Sequence, residues 1–255
     1  MRFDKLEFPD ESSQSISPPG AEEIVNDERQ WIEQADVHRR NGQYENALRF
    51  YSRALEVDKS LVVAWVGQVQ MLVQLGEYPQ ADLWARKSLE LFPSHGDLLA
   101  SRAQAVCRMG DFKQAYALND GAMQQRGDSA YCWQVRGELM IAERQPTDGY
   151  CFDRAQVASQ DWLVPLESAL IYLHYRAPTK ALQRAQVAIA TAVTSYYAWF
   201  VLARCQEEVG FTDSARQSYE RCLEHCPRHH EASMRLAELG RESLFATMRR
   251  WLGRR

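Results

Sequence analysis

The densest gathering of side chains able to do chemistry in this 255-residue chain is Cys222, His225, Cys226, His229 and His230. Thiolates and imidazoles are zinc ligands, and two cysteines one helical turn apart with a histidine beyond them have metal-site spacing. Cys222, Cys226, His229 and His230 come nearest to a ligand quartet. Cys222, however, falls where a small packing residue recurs along the chain, which predicts a thiol turned into a helix contact and histidines left in water. Packing is the preferred reading, and no metal or cofactor is expected. No Gly-rich phosphate loop, nucleophile elbow or HExxH helix occurs elsewhere. Without a converging nucleophile and base, the chain is not expected to be an enzyme.

The elements that carry these residues follow from composition and period. At 45% hydrophobic and 25% charged, the chain has enough apolar material for a large domain or a repeat array. A net charge of -4 gives no overall basic footprint, so no nucleic-acid partner is expected. Six scattered cysteines suit free thiols in a reducing compartment better than a disulfide framework. The start, MRFDKLEFPDE, has charges where a secretory leader needs apolar residues, and no run approaches the length of a membrane span. These features predict a cytoplasmic protein.

A repeat is visible in the spacing. Trp31, Trp65, Leu99 and Trp133 stand 34 residues apart, and Trp199 rejoins the series if two residues are deleted before Pro165. Eleven residues after the opening residue comes glycine (Gly42, Gly76, Gly110, Gly210); five further on comes alanine (Ala47, Ala81, Ala115, Ala215). Seven beyond that stands a small residue (Ala54, Ser88, Ala122, Cys222), and Pro93 and Pro227 close their units. Glycine ends one helix because it takes the left-handed conformation without a Cβ penalty, so each unit holds two antiparallel helices. The small residues share one face of the second helix and let backbones approach, the large opening residue fills the adjoining gap, and proline stops the helix.

This combination of Trp, Gly, Tyr or Phe, Ala and Pro resembles the tetratricopeptide repeat (TPR) family over residues 28–229. The resemblance implies an all-α, right-handed superhelical solenoid of about six helix pairs with a C-terminal capping helix. The repeats are expected at 28–61, 62–95, 96–129, 130–161, 162–195 and 196–229. Two are irregular: Arg144 and Arg176 replace the turn glycine, Pro165 replaces the tryptophan, and Pro146 and Gly149 weaken one second helix. One familiar use of the family, a clamp of Lys, Asn and Arg for a chaperone's C-terminal carboxylate, is not matched. The corresponding positions hold Ile32, Asp36, Gly67, Asp97 and Ser101.

The resemblance also implies that first helices line a concave groove. The groove residues are then Ile32, Asp36 and Arg39; Val66, Gln70 and Val73; Ala100 and Gln104; Gln134, Glu138 and Ile141; Leu166, Leu170 and Leu173; Phe200 and Arg204. An apolar strip with glutamines suits another protein, as an amphipathic helix or extended segment whose polar groups meet Gln70, Gln104 and Gln134. Residues 1–27, acidic and rich in Ser and Pro, read as a flexible tail. Residues 230–255 read as a capping helix that becomes basic and amphipathic. There Leu244, Phe245, Met248 and Trp251, with Arg249 and Arg250, suit peripheral contact with an anionic inner membrane face. The leading expectation is a protein-binding scaffold or adaptor; the alternative is an assembly factor anchored by that helix.

Overall fold

A computed structural model describes residues 28–126 and 129–252, with side chains described as far as Arg241. All thirteen elements among the described residues are α-helices, and none of the described residues lies in a strand. The chain forms two compact units, Met1–Ser94 and His95–Arg255. The first unit holds α1 (Glu28–Arg40), α2 (Tyr44–Val57), α3 (Val62–Gln74) and α4 (Tyr78–Leu91). The second holds α5 (Gly96–Arg108), α6 (Phe112–Arg126), α7 (Ala130–Ala142), α8 (Asp148–Ala158), α9 (Leu163–His174), α10 (Pro178–Thr191), α11 (Tyr196–Val209), α12 (Thr212–His225) and α13 (His230–Leu252). These are six helix pairs and a terminal helix, as the period predicts. Within each unit a helix packs on its hairpin partner, and a second helix packs on the first helix of the next pair.

All six hairpin turns use one hydrogen-bond pattern. The amide that follows the left-handed residue reaches back five residues, as in Gln43 N–H to His38 O at 2.9 Å and Phe211 N–H to Gln206 O at 2.8 Å. The preceding amide reaches back three residues, as in Gly42 to Arg39 at 3.0 Å, so each turn is a Schellman motif. Gly42, Gly76, Gly110 and Gly210 take φ of 68°, 81°, 90° and 90° there. The two irregular repeats keep the turn with arginine: Arg144 has φ 58° and Arg176 φ 55°, and their neighbours Gln145 and Ala177 make the same five-residue bonds at 2.7 and 2.9 Å. A left-handed residue with a Cβ costs about 1–2 kcal/mol. Both side chains are exposed, so little packing offsets that cost. Arg144→Gly and Arg176→Gly are each expected to stabilise the second unit by about 0.5–1 kcal/mol. A lower urea midpoint for either variant would count against this reading of the turns.

The small positions are buried to completion: Ala47, Ala54, Ala81, Ser88, Ala115, Ala122, Ala215 and Cys222 are each 0% exposed. The fourth repeat departs from this rule in a compact way. One residue fewer separates its turn from the first buried position of the second helix, which places Asp148, 1% exposed, where the others bury alanine. That carboxylate is satisfied by the Tyr172 hydroxyl at 2.7 Å and by Lys180 Nζ at 2.8 Å, so a polar contact replaces a van der Waals one.

Candidate functional site

The residues expected to face a partner lie on the first helices: α1 and α3 in one unit, α5, α7, α9 and α11 in the other. Helical position alone does not decide their exposure. Ile32, Asp36, Arg39, Val66, Ile141, Leu170 and Leu173 are partly exposed, and Arg204 is exposed with its guanidinium 5.9 Å above the Phe200 ring. Val73, Ala100, Leu166 and Phe200 belong to the core instead. So do the three glutamines: Gln70 is 6% exposed, and Gln104 and Gln134 are each 3%. The expectation that these amides meet a ligand is therefore corrected. Gln104 Nε2 donates to Glu138 Oε2 at 2.7 Å, and Gln134 Nε2 donates to the Val164 carbonyl at 2.9 Å. Each bond joins one first helix to the next, because that neighbour lies close enough to exclude water from both side chains.

Glu138, 0% exposed, centres this network in the second unit. Besides Gln104, it accepts from Arg108 Nε and from the Tyr175 hydroxyl at 3.2 Å. Arg108 has only 7% of its side chain exposed and stacks 5.6 Å above the Tyr175 ring. The Tyr131 hydroxyl completes the amide of Gln104 at 2.7 Å. These bonds among carboxylate, guanidinium, amide and hydroxyls tie α5 and α7 to each other and to Tyr175 at the end of α9. Arg108, Tyr131 and Tyr175 carry no repeat-position signal and are not found by spacing. Only the rule that a buried charge needs a partner points to them.

Burial also sets the protonation of three thiols. Burial pushes the thiols of Cys107, Cys205 and Cys222 up to about 12, which keeps them protonated. In the Cys222–His230 cluster, Cys222 is fully buried, Cys226 partly so, and His230 is exposed at the start of α13. Among the described residues no group of three or more His, Cys, Asp or Glu is arranged to hold a metal. His229 instead caps α13: its Nδ1 accepts the Ala232 amide at 3.1 Å, and its ring lies 4.6 Å from that of Phe200.

Desolvation holds His229, and likewise His174, below the usual histidine range. The unfolded chain then takes up protons near pH 6.5 before the folded chain does, so stability is lost as pH falls below about 6.5. His229→Asn keeps a capping oxygen and removes one titration. Its melting temperature is expected to fall less than that of the unaltered chain between pH 7.5 and pH 5. An equal fall would remove His229 as a cause.

Family models for the tetratricopeptide repeat match residues 30–61 and 197–239. A TPR protein of Parabacteroides merdae has the same fold, with TM-score 0.52 and 14% identity over 85% of this chain and 86% of the other. The chain carries tetratricopeptide repeats. These TPR units also superpose on yeast Tom70, with TM-score 0.54 and 15% identity over 87% of this chain and 48% of Tom70. A chain of the anaphase-promoting-complex Cut9–Hcn1 hetero-tetramer matches with TM-score 0.51 and 13% identity over 83% of this chain and 42% of that one. The TPR chain thus spans less than half of Tom70 and of the Cut9–Hcn1 chain. No curated protein matches it in sequence.

The TPR clamp positions have structural occupations here. Gly67 lies under the Tyr51 ring, Ser101 donates to the Leu98 carbonyl at 2.9 Å, and Asp97 accepts from Ser129 at 2.6 Å. No helix among the described residues is long and apolar enough to cross a membrane. The side chains of Leu244, Phe245, Met248, Arg249, Arg250 and Trp251, and the whole of residues 1–27, lie outside those described.

Proposed function

We propose that this TPR protein is a non-catalytic scaffold that holds another polypeptide against its first helices. The observation that carries the reading is the contrast within the second unit. Glu138, Gln104 and Arg108 are locked together, while the apolar Ile141, Leu170 and Leu173 remain partly exposed on the same set of helices. A rigid surface with unsatisfied apolar side chains suits an apolar anchor, because little ordering entropy remains for the complex to lose. Val66 and Ile32 offer the same chemistry in the first unit. With Gln104 and Gln134 committed internally, affinity rests on apolar contact and on the flanking charges of Asp36, Arg39 and Arg204. A partner helix or extended segment with apolar anchors fits this surface.

The test is capture of partners by the intact chain and by a Val66→Glu, Leu170→Glu variant, followed by titration of a captured partner. Leu170→Glu is expected to weaken binding by at least about tenfold, chiefly through faster dissociation, with little effect on folding because the position already meets water. Strong salt dependence with no effect of the substitution would sink the apolar-surface reading.

A further inference from the structure

In five repeats a large residue opens the first helix, and four of these residues are tryptophans held by their neighbours in similar ways. Trp31 stacks 5.6 Å from Phe50 beneath Arg53, and Trp133 packs edge-on 6.0 Å from Tyr150 beneath Arg154. Trp65 lies 6.0 Å from Trp84. The indole N–H of Trp65 donates to the Lys59 carbonyl, and that of Trp199 to the Val193 carbonyl, each at 2.9 Å and each six residues upstream. The indole seat is thus bounded by the connection before the first helix, the start of that helix and the facing second helix.

The fifth repeat has Pro165 at the opening position, and Val187 where Arg53 and Arg154 cover a ring. A cavity of about 470 Å³ borders both residues. Its walls are the end of α8 and the following connection, Pro165 on α9, and Gln183, Val187 and Ala190 on α10. The size falls within the range of small-ligand pockets, and the lining suits a ring with one N–H. Trp162, Pro165, Val187 and Ala190 supply apolar contact, Trp162 offering an aromatic face as Phe50, Trp84 and Tyr150 do for the other indoles, and the carboxamides of Gln156, Gln183 and Gln186 supply acceptors. None of the lining residues is cationic; the one carboxylate, Asp161, already accepts the Leu163 amide at 3.0 Å.

We infer that this cavity seats a tryptophan side chain presented by a partner polypeptide. The seat is built largely from second helices, apart from the first-helix surface, so the two binding modes stand or fall separately. An indole alone does not fill the space, and the surplus takes the backbone that flanks it in an extended segment.

The test uses the full chain, labelled for NMR and titrated with N-acetyltryptophanamide. The side-chain amides of Gln156, Gln183 and Gln186 are expected to shift together with a Kd on the order of 1 mM, and N-acetylleucinamide to bind at least about tenfold more weakly. Pro165→Trp supplies the chain's own indole and should abolish binding while raising the melting temperature. Ala190→Phe fills the cavity from its exposed edge and should abolish binding even if Pro165→Trp fails to fold. Leu170→Glu should leave the titration unchanged. Equal binding of the leucine probe, binding retained in Ala190→Phe, or loss of binding in Leu170→Glu would each overturn the proposal. So would binding that emerges only when residues 241–255 are deleted, since the chain's own Trp251 would then be the occupant.

Discussion

Glu138→Ala is expected to destabilise the second unit by about 3–5 kcal/mol, the cost of leaving one member of a buried ion pair without its partner. The carboxylate has no exposed surface, and its removal strands Arg108, whose side chain is only 7% exposed. It also deprives the Gln104 amide and the Tyr175 hydroxyl of their acceptor. The Gln104 amide is itself buried, so it cannot turn to water without a shift of α5 or α7. Taking both charges away together, in Glu138→Leu with Arg108→Leu, should cost clearly less than Glu138→Ala, because the desolvation penalty of the pair disappears with its attraction. Urea unfolding followed by tryptophan fluorescence, with hydrogen exchange in α7, separates the cases. A loss below about 1 kcal/mol for Glu138→Ala would mean that water reaches the network.

Gly67→Ala is the second large effect, and its sign is set by two opposed magnitudes. Alanine improves helix propensity by about 1 kcal/mol in α3. Against that, the new Cβ would stand 2.4 Å from Cζ of Tyr51, and the ring has nowhere to go. Tyr51 is 1% exposed, and its hydroxyl donates to Asp36. Overpacking of a fixed ring costs about 1–3 kcal/mol and also strains the hydrogen bond, so a net loss near 2 kcal/mol is expected. Gly121→Ala in α6 is the matched comparison. Its Cβ would meet only Leu99 Cδ1 at 3.8 Å, ordinary contact, so propensity should win and the variant should gain up to about 1 kcal/mol. If both variants shifted stability alike, the Tyr51 ring would not be the fixed wall described above.

The amino-acid sequence by itself determined the helix pairs, their turns and their small-residue contacts. Each depends on the backbone conformation of a residue or on positions one repeat apart, and both are visible as spacing. Even the arginines at 144 and 176 occupy the left-handed turn that their register demands, because the surrounding Schellman bonds outweigh the local cost. The sequence also predicted the burial of the Cys222 thiol at its small-residue position, where it is 0% exposed.

What only the tertiary structure decided is which polar groups on the first helices meet water. Period fixes the angle at which a side chain leaves its helix, not the distance of the helix it faces. Gln104 and Gln134 leave at the expected angle, yet they meet the next first helix before they meet solvent. Arg108 and Tyr175 enter the same network from positions that no repeat marks. The cavity beside Pro165 has the same origin: the sequence shows a missing tryptophan, but only the packing of α8, α9 and α10 determines that its seat stays open rather than collapsing.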